Sequence, residues 1–101
     1  MELRPGLALD SVVDQVSVIV TKAPGGDVDL RCGGHPVVVK GDVGTAAQCD
    51  PAHAQGSLIG KRYVDGSGTL EVLCTKPGAS SLSVGDEPLT VASAKALPSS
   101  D

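Results

Sequence analysis

The chain has 101 residues, a length that corresponds to one small domain. Its net charge is -4 at pH 7 and Tyr63 is its only aromatic residue, so it lacks both the basic face and the stacking platforms of a general nucleic-acid binder. It has no run of 18 apolar residues and no signal-peptide pattern at its start, and we therefore predict neither a membrane span nor a secretory signal.

The first half of the chain has the two-residue period of a β-strand. The opening dozen residues suit an extended arm or a short helix. Val16, Val18 and Val20 then alternate with other residues, which predicts a strand at about 15 to 22.

Turn residues divide the rest of the first half. Residues 24 to 27, Pro-Gly-Gly-Asp, predict a tight turn that returns the chain antiparallel as a strand over 27 to 32. Residues 33 to 36 predict a second turn, and 37 to 39 a third strand.

The second half follows the same plan. We predict strands at 70 to 75, 80 to 84 and 89 to 91, with turns at 76 to 78 and 85 to 88. The whole chain, 1 to 101, is therefore read as one domain.

The two halves share residues in matching order. The matched pairs are Thr21 with Thr75, Lys22 with Lys76, Pro24 with Pro77, Gly25 with Gly78, Leu30 with Leu82, Gly33 with Gly85, Pro36 with Pro88 and Val39 with Val91. A repeated unit too small to bury a face alone predicts two copies packed about a pseudo-twofold axis. We place the copies at about 15 to 39 and 63 to 91.

The segment 40 to 62 joins the copies and shows little periodicity. So long a connection is often functional, and we predict that it is the contact loop. The tail, 92 to 101, is predicted to be a surface strand or coil.

Residues 60 to 89 carry a set of turn and strand residues in a recognisable order: Tyr63, Gly68, Glu71, Val72, Leu73, Gly78, Leu82, Pro88 and Leu89. In this framework the segment resembles the desulforedoxin-type iron module at the front of desulfoferrodoxins. That family runs Tyr-x-Cys-x-x-Cys-Gly, a Val-x-Val-Leu strand, a Gly-rich hairpin and Leu-x-Cys-Cys-Gly-x-Pro-Met.

The metal cysteines of that family are largely replaced here. Asp65 and Ser67 stand near the first pair, and Val84 and Gly85 stand at the second. The first copy keeps only Cys32 of its Cys-Cys pair. The resemblance implies an all-β fold of two tandem three-stranded antiparallel rubredoxin/desulforedoxin-like units. It also implies that packing between the copies replaces the stabilisation once given by the metal.

A zinc or iron site is the alternative. Cys32 and His35 are three positions apart and Cys49 and His53 four, spacings that a tetrahedral metal site accepts. Without a metal, Cys32 is a half-buried small hydrophobe, His35 a turn residue, and Cys49 and His53 loop residues. We expect Cys74, which alternates with Val72, to be a buried inert thiol.

No motif for nucleophilic catalysis occurs. The chain has no Gly-x-Ser-x-Gly elbow, and a Cys-His pair requires a fold that brings the two side chains together. Three cysteines, an odd number, favour a reducing compartment, and we predict a cytoplasmic location.

A core without Phe or Trp predicts association. We therefore expect a non-catalytic accessory or small subunit without a cofactor, which docks on a larger enzyme or forms a homo-oligomer. One alternative is a zinc or iron protein using Cys32, His35, Cys49 and His53. Another is a small-molecule binder with a Val- and Leu-lined groove between the copies.

Overall fold

A computed structural model describes residues 1–42, 44 and 46–92. Within them the protein is all-β, as predicted, and its one helical turn is a 3-10 helix at Pro51–His53. The ten strands are β1 Ala8–Asp10, β2 Ser17–Lys22, β3 Leu30–Cys32, β4 His35–Pro36, β5 Val38–Val39, β6 Arg62–Val64, β7 Glu71–Lys76, β8 Leu82–Val84, β9 Glu87–Pro88 and β10 Thr90–Val91.

The strands form two antiparallel sheets. The larger has the order β10-β6-β7-β2-β1-β5, and the smaller has the order β4-β3-β8-β9. The central pair of the larger sheet is β2 with β7, and the central pair of the smaller sheet is β3 with β8. Each central pair therefore joins a strand of the first half of the chain to a strand of the second half.

The expected hairpin between 15–22 and 27–32 is wrong. Strand β2 has β1 on one edge and β7 on the other, so neither edge is free for β3, which lies in the smaller sheet. Gly25 and Gly26 have φ values of 74° and 77° and redirect the chain between the sheets. The hairpin expected between 70–75 and 80–84 is wrong for the same reason, because β7 pairs with β6 and β2.

The strand expected at 37–39 corresponds to β5 and the one expected at 89–91 to β10, but residues 35–36 and 87–88, which were expected in turns, form the additional short strands β4 and β9. One residue, Val37 or Leu89, separates a short strand in the smaller sheet from one in the larger. The Val37 N–H donates to the Leu30 oxygen (3.2 Å), and the Leu89 N–H donates to the Leu82 oxygen (3.0 Å). These bonds hold the chain where it passes between the sheets.

Two further segments differ from or fall outside the expectations. The opening arm contains β1, which pairs with both β2 and β5. Segment 40–62 contains the 3-10 helix, and β6 begins at its end. The tail predicted at 92–101 lies, after Ala92, outside the described residues.

The apolar faces of both sheets meet in one core. Its members are mainly Val and Leu, each worth about 1.5 to 3 kcal/mol when fully buried. The buried positions include Leu9, Val18, Val20, Cys32, Leu70, Val72, Cys74 and Leu82. Tyr63 is the only aromatic side chain in this core, and it too is buried.

Candidate functional site

The predicted ligands Cys32 and His35 face each other across a tight hairpin. They end β3 and begin β4, are paired in the ladder, and are separated by Gly33 and Gly34. Both glycines have positive φ, 65° and 86°. A two-residue hairpin loop with positive φ at both positions favours glycine strongly.

The segment 46–54 packs over this turn and brings the other two predicted ligands to it. The Asp50 N–H donates to the Gly33 oxygen (2.9 Å). A Cβ placed on Gly33 would lie 3.3 Å from the Cys49 Sγ, and one on Gly34 would lie 3.4 Å from the His53 Cδ2. The missing side chains of the two glycines therefore provide the room in which the segment lies.

These residues share a turn, but the described part of the chain contains no group of three or more Cys, His, Asp or Glu side chains placed to hold a metal ion. The Cys32 Sγ contacts the Ser80 Oγ at 3.1 Å. The Cys49 thiol donates to the backbone oxygens of Asp50 and His53, both at 3.5 Å. Metal binding by Cys32, His35, Cys49 and His53 stays a prediction.

A buried polar chain links Cys32 to a carboxylate that sequence reasoning missed. The Asp14 Oδ2 accepts hydrogen bonds from the N–H (3.0 Å) and the hydroxyl (2.8 Å) of Ser80, which is fully buried. A serine hydroxyl has only one proton to donate, and Ser80 donates it to Asp14. The Cys32 thiol is therefore the donor in its hydrogen bond with the Ser80 oxygen. The two partners are 66 residues apart, and no local pattern pointed to them.

The environment of Asp14 stabilises its charged form. Burial raises the pKa of this carboxyl, but hydrogen bonds from the Ser80 and Val16 N–H groups and from the Ser80 and Ser11 hydroxyls outweigh burial and lower the pKa. Asp14 is therefore an ionised acceptor at neutral pH and holds Ser80 in place.

The three cysteines are free thiols with raised pKa. Burial is the largest cause at Cys32, Cys49 and Cys74, and the Asp14 carboxylate raises each pKa further. The prediction that Cys74 is buried is confirmed. A thiol nucleophile needs a depressed pKa or a base within reach, so this arrangement is not that of an activated cysteine.

A second candidate region is the turn that precedes β6. Leu58 and Ile59 are 58% and 62% exposed, the two highest values among the exposed large hydrophobic side chains of the described residues. The Leu58 N–H donates to the Tyr63 hydroxyl (2.9 Å). Fully buried Ser57 exchanges two backbone hydrogen bonds with Gly78 (2.9 and 3.2 Å). An anchored backbone thus directs two aliphatic side chains into solvent.

Two basic residues follow these aliphatic ones. Lys61 and Arg62 are both exposed, and the Lys61 oxygen accepts from the Cys74 N–H (3.0 Å), which fixes the backbone against β7. We call residues 58 to 62 the 58–62 patch. It is apolar and basic on a chain whose net charge is -4.

A small cavity lies beside the β1–β2 hairpin. Its volume is about 190 Å³, below the usual range for small-molecule sites. It is lined by Asp10, Ser11, Asp14, Gln15, Val16, Ser17 and Lys76. These side chains are mostly polar, unlike the Val- and Leu-lined groove expected between the copies.

Comparisons with protein-family models, curated proteins and solved structures gave no match. Among the described residues, no helix has the length and apolar character needed to cross a membrane. The site must therefore be interpreted from its own geometry.

Proposed function

We propose that this chain is a non-catalytic accessory subunit, a protein-binding β module that docks on a larger enzyme through the 58–62 patch. The observation that carries the proposal is the exposure of Leu58 and Ile59 on an anchored turn. The neutral thiols are consistent with a role that does not depend on an activated cysteine.

The patch has the features of a small interface anchor. Burying a fully exposed aliphatic side chain contributes about 1.5 to 3 kcal/mol, so Leu58 and Ile59 together can supply a substantial part of a binding energy. Because Ser57 and Tyr63 already hold the backbone, little ordering entropy is lost on binding. Lys61 and Arg62 favour a partner whose apolar pocket is bordered by carboxylates.

We further propose that the halves are tandem desulforedoxin-like units related by a pseudo-twofold axis. Strands β1 to β5 pair with one another as β6 to β10 do, which supports the proposal. Backbone bonds match as well: the Gly6 N–H donates to the Val20 oxygen (2.7 Å) and the Gly60 N–H to the Cys74 oxygen (2.9 Å).

The duplication supports a functional origin for the patch. In the proposed alignment Leu58 and Ile59 occupy the positions of Arg4 and Pro5 in the first half. Both turns form the same kind of backbone bond, Leu7 N–H to the Arg4 oxygen and Lys61 N–H to the Leu58 oxygen. The turn itself therefore does not require two aliphatic side chains. All three cysteines are unpaired, which agrees with the proposed cytoplasmic location.

The test compares Leu58→Ser/Ile59→Ser with the matched control Arg4→Ser/Pro5→Ser. Each protein is expressed in the native host, crosslinked and affinity-purified, and co-purified proteins are quantified. Light scattering measures self-association, and thermal unfolding checks that both variants fold. We expect loss of one larger partner with the first variant and retention with the control. A folded wild-type monomer that captures no partner, or equal capture by all three proteins, would refute the proposal.

A further inference from the structure

Two of the three thiols lie on neighbouring segments of backbone. The hydrogen bond from the Asp50 N–H to the Gly33 oxygen joins the residues that directly follow Cys49 and Cys32. The two cysteines therefore lie on adjacent stretches of backbone, and a disulfide between them requires a Cα separation of about 4.4 to 6.8 Å.

The side chains also converge. Both the Cys49 Sγ and the Ser80 Cβ lie beside Gly33, at 3.3 and 3.0 Å from the position that its Cβ would take. The Ser80 hydroxyl in turn contacts the Cys32 Sγ at 3.1 Å. The two thiols therefore both lie in the surroundings of Gly33 and Ser80. Cys74 lies on β7 in the other sheet, where its thiol donates to the Lys76 oxygen (3.1 Å).

We propose that Cys32 and Cys49 form a dithiol that hydrogen peroxide closes to an intramolecular disulfide. Cys49 is half-buried and Cys32 is fully buried, so peroxide reaches Cys49 first. The reaction proceeds through the small thiolate fraction of Cys49, because its pKa is raised, and is therefore slower than at an activated cysteine. The Cys49 sulfur attacks one peroxide oxygen and the O–O bond breaks, which gives the Cys49 sulfenic acid and one water.

The second step forms the disulfide. The Cys32 sulfur attacks the Cys49 sulfur, the S–O bond breaks, and the departing hydroxide takes the Cys32 proton as a second water. In total, two thiols and one hydrogen peroxide give one disulfide and two waters, and two electrons pass to the peroxide. The product ties the 46–54 segment covalently to the Gly33–Gly34 turn.

The test oxidises the full-length reduced protein with hydrogen peroxide, blocks free thiols with N-ethylmaleimide and measures intact mass and tryptic peptides. We expect a loss of about 2 Da, one thiol left for alkylation, and a crosslink between peptides 32–40 and 41–61. Cys74→Ser should keep the crosslink, whereas Cys49→Ser should abolish it while leaving the circular-dichroism spectrum unchanged.

Several results would overturn the proposal. They are a crosslink that includes Cys74, a disulfide between two chains, or a Cys49 oxidised to the sulfinic acid without a crosslink. Alkylation of all three thiols after peroxide treatment would also overturn the proposal, if the urea-denatured protein becomes oxidised under the same conditions. That control shows that the peroxide was active.

Discussion

The β3–β4 turn and the β8–β9 turn have matching backbone hydrogen bonds, but they differ in the residues that surround them. The Gly33 N–H donates to the Ser81 oxygen, and the Gly85 N–H donates to the Asp29 oxygen, both at 2.9 Å. Both glycines have positive φ, 65° and 56°. The same kind of backbone hydrogen bond therefore occurs at both turns, and in each case it joins the turn to the opposite half of the chain.

The difference lies in what covers each turn. A Cβ on Gly33 would lie 2.6 Å from the Val13 Cγ2 and 3.0 Å from the Ser80 Cβ. At Gly85 the nearest such atom is the Asp29 Oδ2, at 3.9 Å. Glycine is therefore favoured at position 33 both by the positive φ and by the lack of space for a Cβ. At position 85 it is favoured only by the positive φ. The comparison shows how neighbouring segments can cover one of two turns that have the same backbone hydrogen bond.

The largest expected effect comes from Gly33→Ala compared with Gly85→Ala. Both substitutions place a Cβ at positive φ, which costs about 1 kcal/mol. At Gly33 the crowding with Val13 and Ser80 adds overpacking, for a total of about 3 kcal/mol. Urea unfolding measures both losses. Equal losses in the two variants would contradict the difference in packing.

A smaller effect is expected from Asp14→Asn compared with Asp65→Asn, the carboxylates of the β1–β2 and β6–β7 loops. Asp14 accepts hydrogen bonds from the Val16 N–H and from both the N–H and the hydroxyl of Ser80, and an amide in its place loses about 2 kcal/mol. Asp65 accepts from the Leu70 N–H and the Ser67 hydroxyl within its own loop, and we expect a loss of about 1 kcal/mol or less. Urea unfolding at pH 7 compares them.

The carboxylates of Asp14 and Asp65 also make the free energy of unfolding depend on pH at acidic values. At both sites burial raises the pKa but hydrogen bonds outweigh it, so the folded pKa lies below the ordinary value. Their contribution is present above about pH 4, the unfolded pKa, and is lost as pH falls through the folded pKa. Unfolding free energies from pH 6 to pH 2 should fall less steeply in Asp14→Asn than in the wild type. Parallel curves would show that Asp14 is not stabilised by folding.

The smallest effect is expected from Asp50→Ala compared with Asp86→Ala. The Asp50 Oδ1 accepts from the Ala52 N–H (3.0 Å) and caps the 3-10 helix of the covering segment. We expect a loss of about 0.5 to 1 kcal/mol and faster hydrogen exchange at the Ser81 N–H, which donates to the His53 oxygen. Asp86, in the open turn, should change neither quantity. Unchanged exchange in Asp50→Ala would show that this cap does not hold the cover.

Part of the candidate site could be predicted from the sequence. The Cys32 and His35 spacing across two glycines indicated a turn, and the two residues are paired across it. The position of Cys49 and His53 against that turn could not be predicted, because it depends on hydrogen bonds between residues 17 to 28 positions apart. The Asp14 contact with Ser80 is of the same long-range kind.

The sequence alone was sufficient to predict the all-β class, the alternation that turns Val18 and Val20 of β2 and Val72 and Cys74 of β7 inward, and the glycine turns at 33 and 85. Those features are local, since a two-residue period and a positive φ act within a few residues. The pairing of β2 with β1 and β7, and the position of the 46–54 segment on one of the two turns, depend on the complete fold. The same alternation suits any antiparallel partner, so the choice among partners follows from burial of the whole core.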